Sequence, residues 1–184
     1  MRPAYPVEAV GTLGYMTTVD LRSIRIRSGE QWRGAREIEL DPFELGGERY
    51  VVHPRRADAE LAVSRTTSGL VFDLAFSARL VGPCFRCLVD TTVETPIRAQ
   101  EYHSSSPDAA EELRTPYVVE NHLALSAWAR DAVALALPDK ILCRADCAGL
   151  CPTCGRDLNA EPHEHAEEAL DPRWAALAEL RERL

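Results

Sequence analysis

Apolar and polar residues alternate most strictly between Phe72 and Leu80. Phe72, Leu74, Phe76, Ala78 and Leu80 hold every second position, with Asp73, Ser77 and Arg79 among the residues between them. Successive side chains of a strand point to opposite faces, so this stretch predicts a strand buried on one face. After Gly82-Pro83-Cys84-Phe85-Arg86-Cys87 the pattern resumes at Val89, Thr91, Val93, Thr95, Ile97 and Ala99. Two alternating runs about a short insert predict a long β-hairpin with Cys84 and Cys87 at its tip.

Elsewhere the alternation is shorter. Val19 to Arg27 alternates with a slip in parity near Ser23, which predicts a strand with a bulge and puts Arg22, Arg25 and Arg27 on its polar side. Short strands are expected at Glu37–Leu40, Arg49–His53 and Ala59–Arg65, separated by Asp41-Pro42, Gly46-Gly47 and Pro54. Ser68-Gly69 turns the chain. Residues 103–117 are polar and acidic with two prolines, a surface loop in which Glu111 and Glu112 read as solvated carboxylates. Past Asn121 the period changes. Leu125, Trp128, Ala129, Ala132, Val133 and Ala136 form a core-facing stripe at helical spacing. A helix is therefore expected from about His122 to Leu137, capped by Asn121 and ended by Pro138. Asp171-Pro172 opens a final helix with Trp174, Leu177, Leu180 and Leu184 on its apolar face.

The expected fold class is α+β: an antiparallel β-rich body with a long hairpin, one packed helix, a Cys-rich zinc module and a C-terminal helix. Residues 1–15, broken by Pro3, Pro6, Gly11 and Gly14, read as a disordered extension. Residues 16–102 form the β body with its cysteine hairpin tip, 103–120 an acidic loop, and 121–184 the helix, zinc module and C-terminal helix. With 46% hydrophobic residues the chain can build a core, so metal would staple part of it rather than replace the core. No run approaches the roughly 20 apolar residues of a membrane span, and the N-terminus does not read as a secretory signal. A cytoplasmic protein is expected, in which clustered thiols are reduced. The net charge of −8 opposes non-specific nucleic-acid binding. Contact with RNA would need a local basic patch or a protein intermediary.

The candidate chemistry lies in the cysteines. Cys143, Cys147, Cys151 and Cys154 fall within twelve residues, Cys84 and Cys87 lie on the hairpin tip, and His163 and His165 follow downstream. Eight soft or borderline donors suffice for two closed four-ligand zinc sites, because structural zinc takes Cys and His at four tetrahedral corners. One division joins Cys84 and Cys87 to Cys143 and Cys147, and Cys151 and Cys154 to His163 and His165. Alternatively the four clustered cysteines hold one ion, or the hairpin pair joins Cys151 and Cys154. An iron–sulfur cluster also takes four thiolates, whereas a thioredoxin-like pair needs a strand–helix setting that Cys84 and Cys87 lack. Lys140, Arg86, Arg144 and Arg156 stand beside the ligands, either offsetting thiolate charge or forming a small basic face. His53, His103 and His122 read as surface or capping residues. No phosphate-cradling glycine loop and no nucleophile elbow is present, so the chain reads as non-enzymatic.

Cys84-Phe85-Arg86-Cys87-Leu88, a helix ending Leu135-Ala136-Leu137-Pro138, Ala148-Gly149-Leu150-Cys151-Pro152-Thr153-Cys154-Gly155-Arg156-Asp157-Leu158-Asn159 and the tail Asp171-Pro172-Arg173-Trp174 together resemble the bacterial YceD family, the large ribosomal RNA subunit accumulation proteins. The resemblance runs from about Met16 to the end. Relatives of this kind carry Cys-x-Cys where this chain has His163 and His165, a swap zinc tolerates. Others lack part of the cysteine set, which implies that metal supports the fold. The resemblance implies a non-enzymatic factor for accumulation of large-subunit ribosomal RNA, holding one or two structural Zn2+ ions. Its implied partner is a large-subunit ribosomal protein or precursor ribosomal RNA, with no membrane and no small-molecule substrate. The acidity favours a basic ribosomal protein. A zinc–thiolate redox-responsive regulator and a metal-dependent hydrolase are the alternatives.

Overall fold

The structure, a computed structural model, describes residues 17–165. The expected extension over 1–15 and the helix from Asp171 lie outside these residues. The strand built on Phe72–Leu80 is the axis of the fold. It runs from Gly69 to Pro83 (β6) and pairs along its whole length with Asp90–Ser104 (β7), forming the long hairpin. The other edge of β6 is shared. Arg56–Arg65 (β5) pairs with its first half and Glu48–Val52 (β4) with its last turn of register. Gln31–Glu39 (β2) pairs with β5 at nine consecutive positions. Phe43–Leu45 (β3) forms a tight hairpin with β4 around Gly46 and Gly47. Both glycines have positive φ, +62° and +86°, as a two-residue hairpin turn requires. Among the described residues, an antiparallel β-rich body with one α-helix gives the α+β architecture expected.

The strict alternation has its counterpart in burial: Phe72, Leu74, Phe76, Ala78 and Leu80 are all buried. Across them lies the helix Leu125–Ala136 (α1), with Leu125, Trp128, Ala129, Ala132 and Val133 in the core. Trp128 meets Phe72 edge to face at 6.5 Å and stacks with Tyr117 at 6.3 Å. One cluster collects apolar residues from Val19 through Ile141.

Several expectations need correction. The helix starts three residues later than expected, and Asn121 does not cap it. Asn121 has φ +65° and sits in a turn between Val118–Val119 (β8) and His122–Ala124 (β9). β9 is held extended by pairing with Thr18–Asp20 (β1), and the Thr17 carbonyl accepts from the Leu125 and Ser126 N–H groups at the helix start. A strand from the far end of the chain thus takes the place of a local cap. Ala136 is exposed. The bulged strand expected over Val19–Arg27 is the short β1 followed by a single 3-10 turn at Leu21–Ser23, with Ile24 still buried. The short strand at Glu37–Leu40 is the end of the nine-residue β2. In the loop after β7, Glu111 and Glu112 are exposed, as expected. His103 departs from a surface role: its Nδ1 is buried without a partner, and burial, then Arg114, lowers its pKa.

Candidate metal centre

The two Cys-x2-Cys turns are built alike. In the first, Leu88 N–H donates to the Cys84 carbonyl (3.0 Å) and Cys84 N–H to the Val89 carbonyl (2.8 Å). In the second, Gly155 N–H donates to the Cys151 carbonyl (2.8 Å) and Cys151 N–H to the Arg156 carbonyl (2.7 Å). The residue after each second cysteine takes positive φ, Leu88 at +60° and Gly155 at +73°. Each turn aims its pair of sulfurs to one side, as metal knuckles do.

The eight candidate ligands gather into two groups: Cys84, Cys87, Cys143 and Cys147, and Cys151, Cys154, His163 and His165. Within each group the donor atoms lie within 4.8 Å of one another. Among the described residues, neither the four clustered cysteines alone nor the hairpin pair with Cys151 and Cys154 forms a group. Cys84 and Cys147 sulfurs are 3.9 Å apart, and those of Cys87 and Cys143 3.6 Å. A tetrahedral ion with sulfur ligands at about 2.3 Å spaces them about 3.8 Å apart. A disulfide would bring them to about 2.05 Å, and all six thiols are free. The residues present therefore fit a tetrahedral ion.

The first group closes over the hairpin tip. The Ile141 carbonyl accepts from Phe85 N–H (2.8 Å), which brings the chain after α1 onto the knuckle. Cys84, Cys87 and Cys147 are buried with Leu142 and Leu150 against them. The Arg86 carbonyl accepts from Leu150 N–H (3.1 Å), and its guanidinium donates to the Cys147 carbonyl (2.6 Å). Gly149, at φ +83°, lies against Arg86 where a Cβ would come within 3.1 Å of that carbonyl oxygen. In the second group, His163 Nδ1–H donates to the Glu161 carbonyl at 2.7 Å. That leaves the Nε2 lone pair free to bind a metal, 3.1 Å from the Cys154 sulfur. Fixing one ring nitrogen to orient the other is the usual support of a metal-bound imidazole. The His165 ring meets that of His163 edge-on at 5.0 Å.

The electrostatics of the thiols call for a cation. Burial opposes ionisation of Cys84, but the N–H groups of Cys87, Cys143 and Arg86 pull its pKa down to about 6. In the same group burial and the sulfurs of Cys87, Cys147 and Cys84 push Cys143 up to about 12. Four sulfurs this close cannot all ionise by themselves, and a divalent cation removes the conflict. In the second group the Cys154 N–H, against burial, and the Thr153 N–H bring Cys151 to about 6.

The cations expected beside the ligands are engaged. Arg86 holds Cys147, Arg144 donates to Asn159 Oδ1 (2.7 Å), Arg156 pairs with Glu161 (3.2 Å), and Lys140 lies over the Phe85 ring (5.2 Å). They brace the module rather than offer a free basic face. Sequence reasoning missed the role of Asn159. Its Oδ1 also accepts from Ala148 N–H (2.8 Å), and its Nδ2 donates to the Cys147 sulfur (3.5 Å) and to Asp157 (2.7 Å). An amide is not a zinc ligand, so ligand spacing could not single it out. Leu158 N–H to the Gly149 carbonyl (2.9 Å) and the bridge between Leu150 and Asp157 tie the same segment across the gap between the groups.

Among the described residues no helix is long and apolar enough to cross a membrane. An uncharacterised protein of Mycobacterium tuberculosis is 32% identical over 168 residues, covering 89% of this chain and 80% of its own. One from Mycobacterium bovis matches to the same extent. The uncharacterised protein YlbN of Bacillus subtilis is 27% identical over 113 residues, 59% of this chain and 64% of its own. No solved structure matches. The family model described as large ribosomal RNA subunit accumulation protein YceD matches residues 72–181, a span that holds both Cys/His groups. With more than half of its length matched, the chain belongs to the YceD family.

Proposed function

We propose that this chain is a non-catalytic factor in making the large ribosomal subunit, needed for large-subunit ribosomal RNA to accumulate. It acts in the cytoplasm and binds precursor RNA or a newly made large-subunit protein. The observation that carries the reading is the family match over 72–181, which spans the hairpin and both Cys/His groups. Two Zn2+ ions serve as structural staples, one held by Cys84, Cys87, Cys143 and Cys147, the other by Cys151, Cys154, His163 and His165. Mixed thiolate and imidazole donors in fours suit zinc. Four protein donors in each group leave no open coordination position, which supports a structural role over hydrolysis. Depletion in the source cell should lower large-subunit ribosomal RNA relative to small-subunit RNA, read by quantitative electrophoresis. An unchanged ratio sinks the proposal. Metal analysis by mass should find two zincs, and one after Cys84→Ser/Cys87→Ser; two zincs in that variant would make the hairpin pair bystanders.

A second reading is a regulator that gives up zinc when its thiolates are oxidised to disulfides by peroxide. It draws on the exposure of Cys143 and Cys154. Zinc retained under mild peroxide removes it.

A further inference from the structure

An acidic chain can touch RNA only through a local basic patch, and the margin of β2 carries one. Ser126 Oγ accepts from Thr17 N–H (3.3 Å) and Glu39 N–H (3.2 Å), so the chain sets out beside the end of β2. A turn from Arg27 to Glu30, closed at 2.9 Å, leads into the start of β2. The segment between therefore runs back along β2. Ile24 is buried and Ile26 half-buried in it, while Arg22, Arg25 and Arg27 are exposed. β2 adds Arg33 and Arg36. Arg65 is joined to the turn by Gly29 N–H to its carbonyl (2.8 Å) and its own N–H to the Glu30 carbonyl (3.0 Å).

None of these six arginines is ion-paired among the described residues; the ion pairs use Arg55, Arg56, Arg79, Arg130, Arg144 and Arg156. Residues 21–36 hold five arginines and one carboxylate, Glu30, flanked by Asp20 and Glu37, in a chain of net charge −8. The Glu30 carboxylate accepts the Arg27 N–H at 2.7 Å. One aromatic ring stands among them. Trp32 is half-buried, with the Arg36 guanidinium 4.7 Å from its ring centre. Gly34 makes room for it, since a Cβ there would lie 2.6 Å from the indole.

Guanidinium groups along a margin with an aromatic platform are what a single-stranded nucleic acid uses: cations follow the phosphates and the ring stacks a base. An acidic peptide would satisfy the arginines but bring no base to stack on the exposed part of the indole. On the outer face a trough of about 740 Å³ floored by Ala35, Ala62 and Ala75 opens beside Arg33. Glu60 and Asp73 line it together with Arg33 and Arg98, so it offers phosphate no net positive charge, unlike the β2 margin. We infer that the 22–27 segment and β2 form a binding surface for single-stranded RNA. The inference rests on the reading that the chain serves large-subunit RNA, and names RNA rather than a ribosomal protein as the direct contact.

The test is fluorescence anisotropy of a labelled single-stranded RNA of about 12 nucleotides on the zinc-loaded full chain, between about 50 and 200 mM salt. Each phosphate contact contributes about −0.7 to the slope of log affinity against log salt. Arg22→Ala/Arg25→Ala/Arg27→Ala should weaken binding at least about tenfold and make the slope shallower by about 2. Trp32→Ala should weaken binding with the slope unchanged. The replaced side chains are exposed, so zinc content and circular dichroism of the triple variant should match wild type. Equal RNA affinity of triple variant and wild type overturns the inference. So does wild-type binding to polyglutamate as tight as to RNA, which would point to an acidic protein. In cells, triple-variant rescue of a depletion that does lower large-subunit RNA overturns this surface alone; a depletion without effect overturns the reading beneath it.

Discussion

Asn159 is the residue that braces the Cys84 group from the segment leading to the second group. One amide satisfies the Ala148 N–H, the Arg144 guanidinium and the Cys147 sulfur, and so fixes the loop between the groups. Such partners of metal ligands typically set affinity by about 10- to 100-fold. Asn159→Ala should therefore lower zinc affinity of the Cys84 group by about that factor, measured by competition with a chromophoric chelator; unchanged affinity would make the amide a bystander. His163 carries a different prediction. The Glu161 carbonyl, then Cys151, raise its pKa above 6.5. A raised pKa means the ring keeps its proton to higher pH than a free imidazole, and a metal must displace that proton. Zinc affinity of the second group should fall as pH drops through that range. The fall between about pH 8 and pH 6 should be shallower in His163→Ala. Identical pH dependence in the two proteins removes His163 from the ligand set. Leu88, at φ +60°, shows why residue type alone misleads, since the matching position in the second knuckle is Gly155.

At the scale of elements, β6 dictates most of the body. It holds β7 on one edge and β5 and β4 on the other, and its inward residues meet α1. Its first residue, Gly69, is packed so closely that a Cβ would overlap the His103 carbonyl and lie 2.8 Å from the Tyr102 hydroxyl. A backbone oxygen cannot move aside without breaking the β6–β7 ladder. Gly69→Ala should cost about 1–3 kcal/mol, the usual range for overpacking, read as a lower midpoint in urea with unchanged slope. No loss would mean the strand end is loose. The same scale explains two misreadings. The first half of β2 reads Gln31-Trp32-Arg33-Gly34-Ala35-Arg36, with no alternation of hydrophobicity, because it is an edge strand with no fully buried residue before Ile38. α1 begins later than its pattern predicts because a partner more than a hundred residues away, Thr17, satisfies the helix N-terminus.

At the scale of the whole molecule, the hydrophobic core and the cysteine cluster are separate bodies of packing. They meet where Ile141, in the core, hands its carbonyl to Phe85 on the knuckle. Removing metal should therefore open the module without unfolding the body. Chelation should leave the far-UV β signal in place while proteolysis begins to cut between Asp139 and His165. Complete loss of the β signal would show that the core depends on metal. The charge is also uneven: the chain is acidic as a whole, while six arginines without an ion pair among the described residues lie along β2 and the chain beside it.

By itself the sequence determined the hairpin, the composition of the core and which eight residues could take metal. Those follow from period-two burial and from thiol and imidazole chemistry, which are local. The tertiary structure decided which sulfurs meet, because Cys84 and Cys147 lie 63 residues apart and only the path of the chain after α1 brings them to 3.9 Å. It also decided that Arg22, Arg25, Arg27, Arg33, Arg36 and Arg65 come together along β2. Their proximity depends on a turn and a shared serine hydroxyl, contacts that no spacing along the chain encodes.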